Sequence, residues 1–228
     1  MEILPGVHWL KAGYANVYLC VEDDGLTLVD SGVPRKARHI LDYVEQLGRA
    51  PSDVKQILIT HADWDHAGSA ADLQARTGAT VVASPATIAY LQRGRAPRHM
   101  PQPLAFMVDL LGRYRPVPAA ALSPVLTGAT LPILDELHVL ATPGHTPDHH
   151  AFYSATHGVL FAGDALGTRS GQLGLPAALI TADADAARRS AQRLLQLAPA
   201  TFACGHGDPL QTHTSDALMR LQKELDSG

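Results

Sequence analysis

The 228-residue sequence predicts an α/β fold. Three observations support this. Short β-rich runs alternate with amphipathic segments of helical period, helices open at proline or stop at glycine, and the polar, chemistry-bearing segments begin where apolar strand-like runs end.

Taken in order, ANVYLCVED and GLTLVDSG read as a β-hairpin around Asp23, Asp24 and Gly25. Residues 35–47 place Ile40, Leu41, Val44 and Leu47 at helical spacing before Gly48. VKQILIT is a buried-strand candidate that runs directly into HADWDHAGS. AADLQARTG then reads as a helix with a glycine stop, ATVVAS as a strand, and PATIAYLQRG as a helix with proline in its first turn. Proline and charge break the pattern in RAPRHMPQP and PVPAAALSP around the apolar PLAFMVDLLGRY, so residues 95–124 are expected to form a helical insertion. The second half returns to strands in ELHVLATPG, HAFYSAT and GVLFAGD, followed by the helix DADAARRSAQRLLQLA, the strand TFACGHG and a closing helix near TSDALMRLQKEL. The length fits a single domain over residues 1–228.

Composition narrows the function classes. Hydrophobic residues at 46% and charged residues at 18% describe an ordinary globular chain. A net charge of -4 without a basic cluster argues against nucleic-acid binding. No segment is apolar over the roughly 18 residues a membrane span needs, and the amino terminus lacks a basic start before an apolar stretch. A cytoplasmic protein with no membrane partner is therefore expected. Cys20 and Cys204 lie in apolar runs and make no CxxC pair, so they are expected to be reduced core residues.

Twelve histidines are many for this length, and their placement is informative. In HADWDHAGS, His61, Asp63, Asp65 and His66 fall within six residues, in a loop leaving a buried strand. A divalent ion needs several converging nitrogen or oxygen donors, and a tight loop aims neighbouring residues at one point where a regular strand cannot. His145 in TPGHTPDHH, Asp164 in FAGDAL and His206 in CGHGDP each follow an apolar run and sit beside glycine, which allows close backbone approach. Seven donors from four loops suit two metal ions.

These motifs resemble the metallo-β-lactamase superfamily, whose pattern is a THxHxDH loop followed by His, Asp and His in that order. TLVDSG is similar to the family's early strand ending in Asp-Ser-Gly, and PGHTPDHH to its Pro-Gly-His turn; the match runs from about residue 15 to 210. The resemblance implies a four-layer αβ/βα sandwich of two mixed β-sheets flanked by helices. It assigns His61, Asp63 and His145 to one ion, Asp65, His66 and His206 to a second, and Asp164 as the bridge. Of these, Asp65 and Asp164 are the candidate catalytic residues.

One position departs from the family pattern. Asp63 stands where a second histidine is usual, and it replaces a neutral imidazole by an anionic oxygen. That substitution hardens the site, so zinc is placed first while iron and manganese stay open. The competing role for Asp63 is to cap the following helix. His149 is expected to hydrogen-bond rather than ligate. Asp30 either orients the metal loop or only shapes a turn with Ser31 and Gly32. Trp64 either lines a substrate pocket or packs under the loop, and His150 has no assigned role. His8, His39, His99, His138, His157 and His213 match no pattern and are expected at surface or packing positions. Leu104, Phe106, Met107, Val108, Leu110 and Leu111 could serve as a lid, a homodimer contact or core.

By the resemblance the protein is a metal-dependent hydrolase that uses a metal-bridging hydroxide on a small molecule, an ester, thioester or lactone. No GxSxG nucleophile elbow competes with that reading. The alternatives are an iron-dependent oxidoreductase similar to persulfide dioxygenases, which Asp63 favours, and a phosphodiesterase. A metal-binding module without catalysis is a third class.

Overall fold

The structure, a computed structural model, describes residues 1–99 and 112–227. The apolar insertion residues from Leu104 to Leu111 lie outside that range. The chain divides into two compact units, Met1–Arg98 with Gln102–Leu126 and His99–Pro101 with Thr127–Gly228.

The first unit is built on a mixed seven-stranded sheet in sequence order: β1 (Glu2–Leu4), β2 (Val7–Lys11), β3 (Asn16–Glu22), β4 (Gly25–Val29), β5 (Val54–Leu58), β6 (Thr80–Ala83) and β7 (Leu122–Pro124). Strands β1 to β4 pair antiparallel and β4 to β7 parallel. The expected hairpin is β3–β4, with Glu22 opposite Gly25. Parallel pairing requires crossovers, and helices α1 (Ala37–Gln46) and α3 (Ala70–Thr77) lie on those from β4 to β5 and from β5 to β6. Their apolar stripes, Ile40, Leu41 and Val44 on α1 and Ala70, Ala71 and Leu73 on α3, join Leu19, Leu28, Ile57 and Val81 of the sheet in one buried core. Helix α3 ends on Gly78 at φ 75°, the left-handed conformation that glycine adopts at little cost. Helix α4 (Pro85–Leu91) opens on Ser84, whose hydroxyl accepts from the Thr87 amide at 3.1 Å, with proline at the first helical position.

Two parts of this sheet were not expected from the sequence. Residues 2–11 form β1 and β2, where short strands broken by Gly6 give too brief an alternation to stand out. The proline-broken end of the expected insertion supplies β7, and Pro124 fits there because an edge strand does not need every amide.

The second unit carries a mixed five-stranded sheet. Its order is β14 (Thr201–Cys204), β11 (Val159–Gly163), β10 (His150–Ser154), β9 (Leu137–Ala141) and β8 (Thr130–Leu131). Only β11 and β14 pair parallel. A hairpin of β12 (Gly167–Arg169) and β13 (Gln172–Gly174) follows β11 in the chain. Helices α5 (Ala184–Leu195) and α6 (Thr214–Ser227) pack Ala191, Leu194, Leu195, Leu221 and Leu225 against Leu160, Ala162, Phe202 and Cys204. Asp183 caps α5 by accepting from the Ala186 amide at 2.9 Å.

Cys20 and Cys204 are free and buried, as expected. Burial pushes both thiols well above the ordinary range, so neither is a ready nucleophile. Among the described residues no helix is long and apolar enough to cross a membrane.

Candidate metal centre

In the first unit the loop 59–63 leaves the parallel strand β5, held by the Ile59 amide on the Val82 carbonyl at 3.0 Å. It turns into the four-residue helix α2 (Trp64–Ala67). Asp63 occupies the N-cap position, yet its side chain makes no capping hydrogen bond. Its backbone carbonyl serves the helix instead, accepting from the His66 and Ala67 amides. The carboxylate Oδ2 lies 3.6 Å from His61 Nε2. Asp65 Oδ2 lies 4.0 Å from His66 Nε2, and the imidazole rings of His61 and His66 are 4.2 Å apart between centroids. His61, Asp63 and His66 are buried, and Asp65 is half-buried.

A buried carboxylate outside the motif arranges this loop. Asp30 follows β4 with φ 63°, a left-handed conformation that aspartate tolerates better than most residues. Its Oδ2 accepts from His66 Nδ1 at 2.8 Å. It also accepts from the Thr60 amide at 2.9 Å and from the Thr60 hydroxyl. With its proton committed to Asp30, Thr60 Oγ1 accepts from His61 Nδ1 at 2.9 Å. Both histidines therefore carry their proton on Nδ1, and each Nε2 keeps a lone pair. Asp30 is an orienting residue as well as a turn former.

In the second unit the donors come from the loops after β9, β11 and β14. Asp164 Oδ2 lies 3.4 Å from His145 Nε2 and 3.2 Å from His206 Nε2. His149 hydrogen-bonds, as expected: its Nε2 accepts from the Asp164 amide at 2.9 Å, and its Nδ1 meets Thr142 Oγ1 at 2.7 Å. Glycine is required on both flanks. Gly144 has φ 147°, and a Cβ there would sit 2.3 Å from the Ala187 backbone of α5. Gly207 has φ 82°, with room for a Cβ taken by the Thr168 carbonyl.

Two donors bound to one tetrahedral ion at about 2.1 Å stand about 3.4 Å apart. The pairs at 3.6, 3.4 and 3.2 Å match that separation, and the Asp65–His66 pair at 4.0 Å is slightly wider. The donor types, imidazole nitrogen and carboxylate oxygen, also fit a divalent ion. Each unit thus carries donor pairs whose spacing and chemistry fit a divalent ion.

Other residues take plainer places. Trp64 is partly buried against the core and meets Tyr14 edge-on at 6.0 Å. His150 bonds Thr127 Oγ1 and the Asp148 carbonyl. His8 is buried and bonds Tyr43 Oη at 3.0 Å. The His99 ring packs edge-on to His145 at 5.2 Å between centroids. No local motif marks it.

The sequence profile of the Metallo-beta-lactamase superfamily matches residues 10–206. The chain belongs to that superfamily. Among its relatives, the probable metallo-hydrolase YflN of Bacillus subtilis is 29% identical, over 92% of this chain and 86% of that protein. A hydroxyacylglutathione hydrolase of Stenotrophomonas maltophilia is 30% identical over 66% of this chain, but the match spans 45% of that longer protein. The crystal structure of a metallo-beta-lactamase family protein from Thermus thermophilus superposes with a TM-score of 0.74 at 26% identity, covering 99% of this chain and 81% of that one. The protein has the metallo-β-lactamase fold, and it is a metallohydrolase of that superfamily.

Proposed function

We propose that the protein is a two-metal hydrolase of small carboxylic esters, thioesters or lactones, with the ligand assignment that the superfamily's pattern implies. His61, Asp63 and His145 would hold one ion and Asp65, His66 and His206 the other, with Asp164 shared. The order of the donors along the chain supports this pairing, because it follows the superfamily's pattern with Asp63 in place of a histidine. The observation that carries the reading is the tautomer lock, in which Asp30 and Thr60 occupy both Nδ1 atoms, so that each Nε2 keeps its lone pair. Asp164 Oδ2, standing between His145 and His206, suits the shared position.

Divalent ions bound here supply an activated water near neutral pH and Lewis acidity toward the scissile carbonyl. The chain's own residues hold geometry. Asp30 keeps His66 from rotating, Thr60 keeps His61, and the His149 bond to the Asp164 amide fixes the start of the shared carboxylate. Thioesters come first among the substrates because hydroxyacylglutathione hydrolases are among the relatives. Zinc comes first among the metals, with iron and manganese next.

A second reading, an iron-dependent oxidoreductase, is favoured by Asp63. Its carboxylate is not spent on the helix cap and lies beside His61, which gives this half of the site an oxygen donor. Elemental analysis of purified protein, run beside a panel of ester, thioester, lactone, β-lactam and phosphodiester substrates, separates the readings. Hydrolysis with zinc supports the first; iron with oxygen consumption and no hydrolysis supports the second.

A further inference from the structure

A cavity of about 700 Å³ lies wholly in the second unit, within the range of about 300–1,000 Å³ usual for small-ligand sites. Asp164 and His206 line it, and so do two guanidinium groups, Arg169 on β12 and Arg220 on α6. We propose that this cavity receives the substrate, and that Arg220 and Arg169 bind a carboxylate on the substrate's non-reacting end. The proposal rests on the hydrolase reading and names its substrate class: a small ester, thioester or lactone bearing a second, anionic carboxyl group.

The chemistry of the two arginines argues for an anion. Arg220 donates from Nη1 to Gln172 Oε1 and from Nη2 to the Leu173 carbonyl at 3.1 Å. Both acceptors are neutral and both lie on β13, so the guanidinium is positioned without being neutralised. A guanidinium has five N–H donors, and these two bonds leave the others for a ligand. Its planar fork matches a carboxylate in bidentate geometry. The Arg169 guanidinium has no hydrogen-bond or ion-pair partner among the described residues. Glu224, one helical turn beyond Arg220, also lines the cavity but makes no ion pair with it. Leu166, Leu173, Leu175 and Ile180 give the same cavity apolar walls. Metal donors, apolar wall and positive groups in one cavity fit an acyl chain that ends in a carboxylate.

The competing account is that Arg220 only ties α6 to the hairpin. The test compares mono-4-nitrophenyl glutarate with its neutral counterpart, 4-nitrophenyl pentanoate, in zinc-replete wild type, Arg220→Gln and Arg169→Gln. We expect wild type to favour the anionic ester, and each variant to lose about tenfold more kcat/KM on the anionic ester than on the neutral one, chiefly through KM. Arg169 has no partner to lose among the described residues, so its variant carries the test if Arg220→Gln loosens the hairpin. Equal losses on both esters, or none in either variant, would overturn the proposal while leaving the hydrolase reading intact. If wild type turns over neither ester, calorimetric titration of glutarate into zinc-replete protein decides separately. Glutarate binding that both variants weaken supports the arginine site even as the hydrolase reading fails, and no binding to wild type overturns the site.

Discussion

Asp30 Oδ2 accepts a hydrogen bond from His66 Nδ1 at 2.8 Å, and the two residues are thirty-six positions apart in the chain. Through the Thr60 hydroxyl, the same carboxylate also sets the proton on His61. One buried acid at the end of β4 therefore decides the tautomer of both histidines in the loop after β5.

Replacing that acid by its amide separates orientation from shape. In Asp30→Asn the amide oxygen can still accept from the Thr60 backbone, but the position facing His66 becomes a donor unless the group flips. His66 then shifts its proton to Nε2 and loses its lone pair. Metal affinity is expected to fall about 10–100-fold, as for other partners of ligand histidines. Competition with a chromophoric chelator reads this, and wild-type affinity in the variant would contradict the tautomer lock.

Asp164→Ala and His66→Ala are each expected to abolish hydrolysis of activated esters while leaving the far-ultraviolet circular dichroism unchanged. Neither side chain belongs to an apolar core, so their loss removes donors rather than packing. Full turnover by either metal-replete variant would remove it from the centre.

Asp63→Ala is expected to lower metal stoichiometry, and Asp63→His to restore it with a stronger preference for zinc over manganese, because imidazole is the softer donor. Mass-spectrometric metal analysis of protein expressed with both metals supplied checks this. Unchanged stoichiometry in Asp63→Ala would show that the carboxylate does not ligate.

Burial pushes the His8 imidazole below its usual range, with Glu2 opposing the shift. The unfolded chain therefore takes up the proton first as pH falls. The sign follows: stability is full above about pH 6.5 and declines as pH drops through that value toward the folded pKa. Urea midpoints between pH 7.5 and 5 are expected to fall more steeply for wild type than for His8→Phe, and parallel curves would contradict the assignment.

Phe161 and Phe202 are fully buried on the parallel pair β11 and β14. Truncating Phe161 to alanine is expected to cost about 3–5 kcal/mol, read by denaturant unfolding. A loss near zero would mean that this strand pair contributes little to the fold.

Much of this architecture was legible in the sequence because its signals are local. The crossover helices showed as apolar stripes ending at Gly48 and Gly78, and HADWDH showed as a density of donors that a strand-end loop explains. The His149 role was also readable, since its motif position marks it. What stayed hidden depends on partners distant in sequence. Asp30 reads as a turn residue until His66 is found beside it, and His99 reads as an ordinary histidine until its ring meets His145. Strands β1, β2 and β7 were missed because they are short, and a strand of three to five residues depends more on its neighbours than on its own pattern.

The central claim, a two-metal hydrolytic centre, is tested most directly by titrating zinc into metal-free protein while following both binding and turnover of a thioester. Two equivalents are expected to bind, with turnover appearing as the sites fill and absent from Asp164→Ala. Saturation of the centre with zinc without hydrolysis of any ester, thioester or lactone would contradict it.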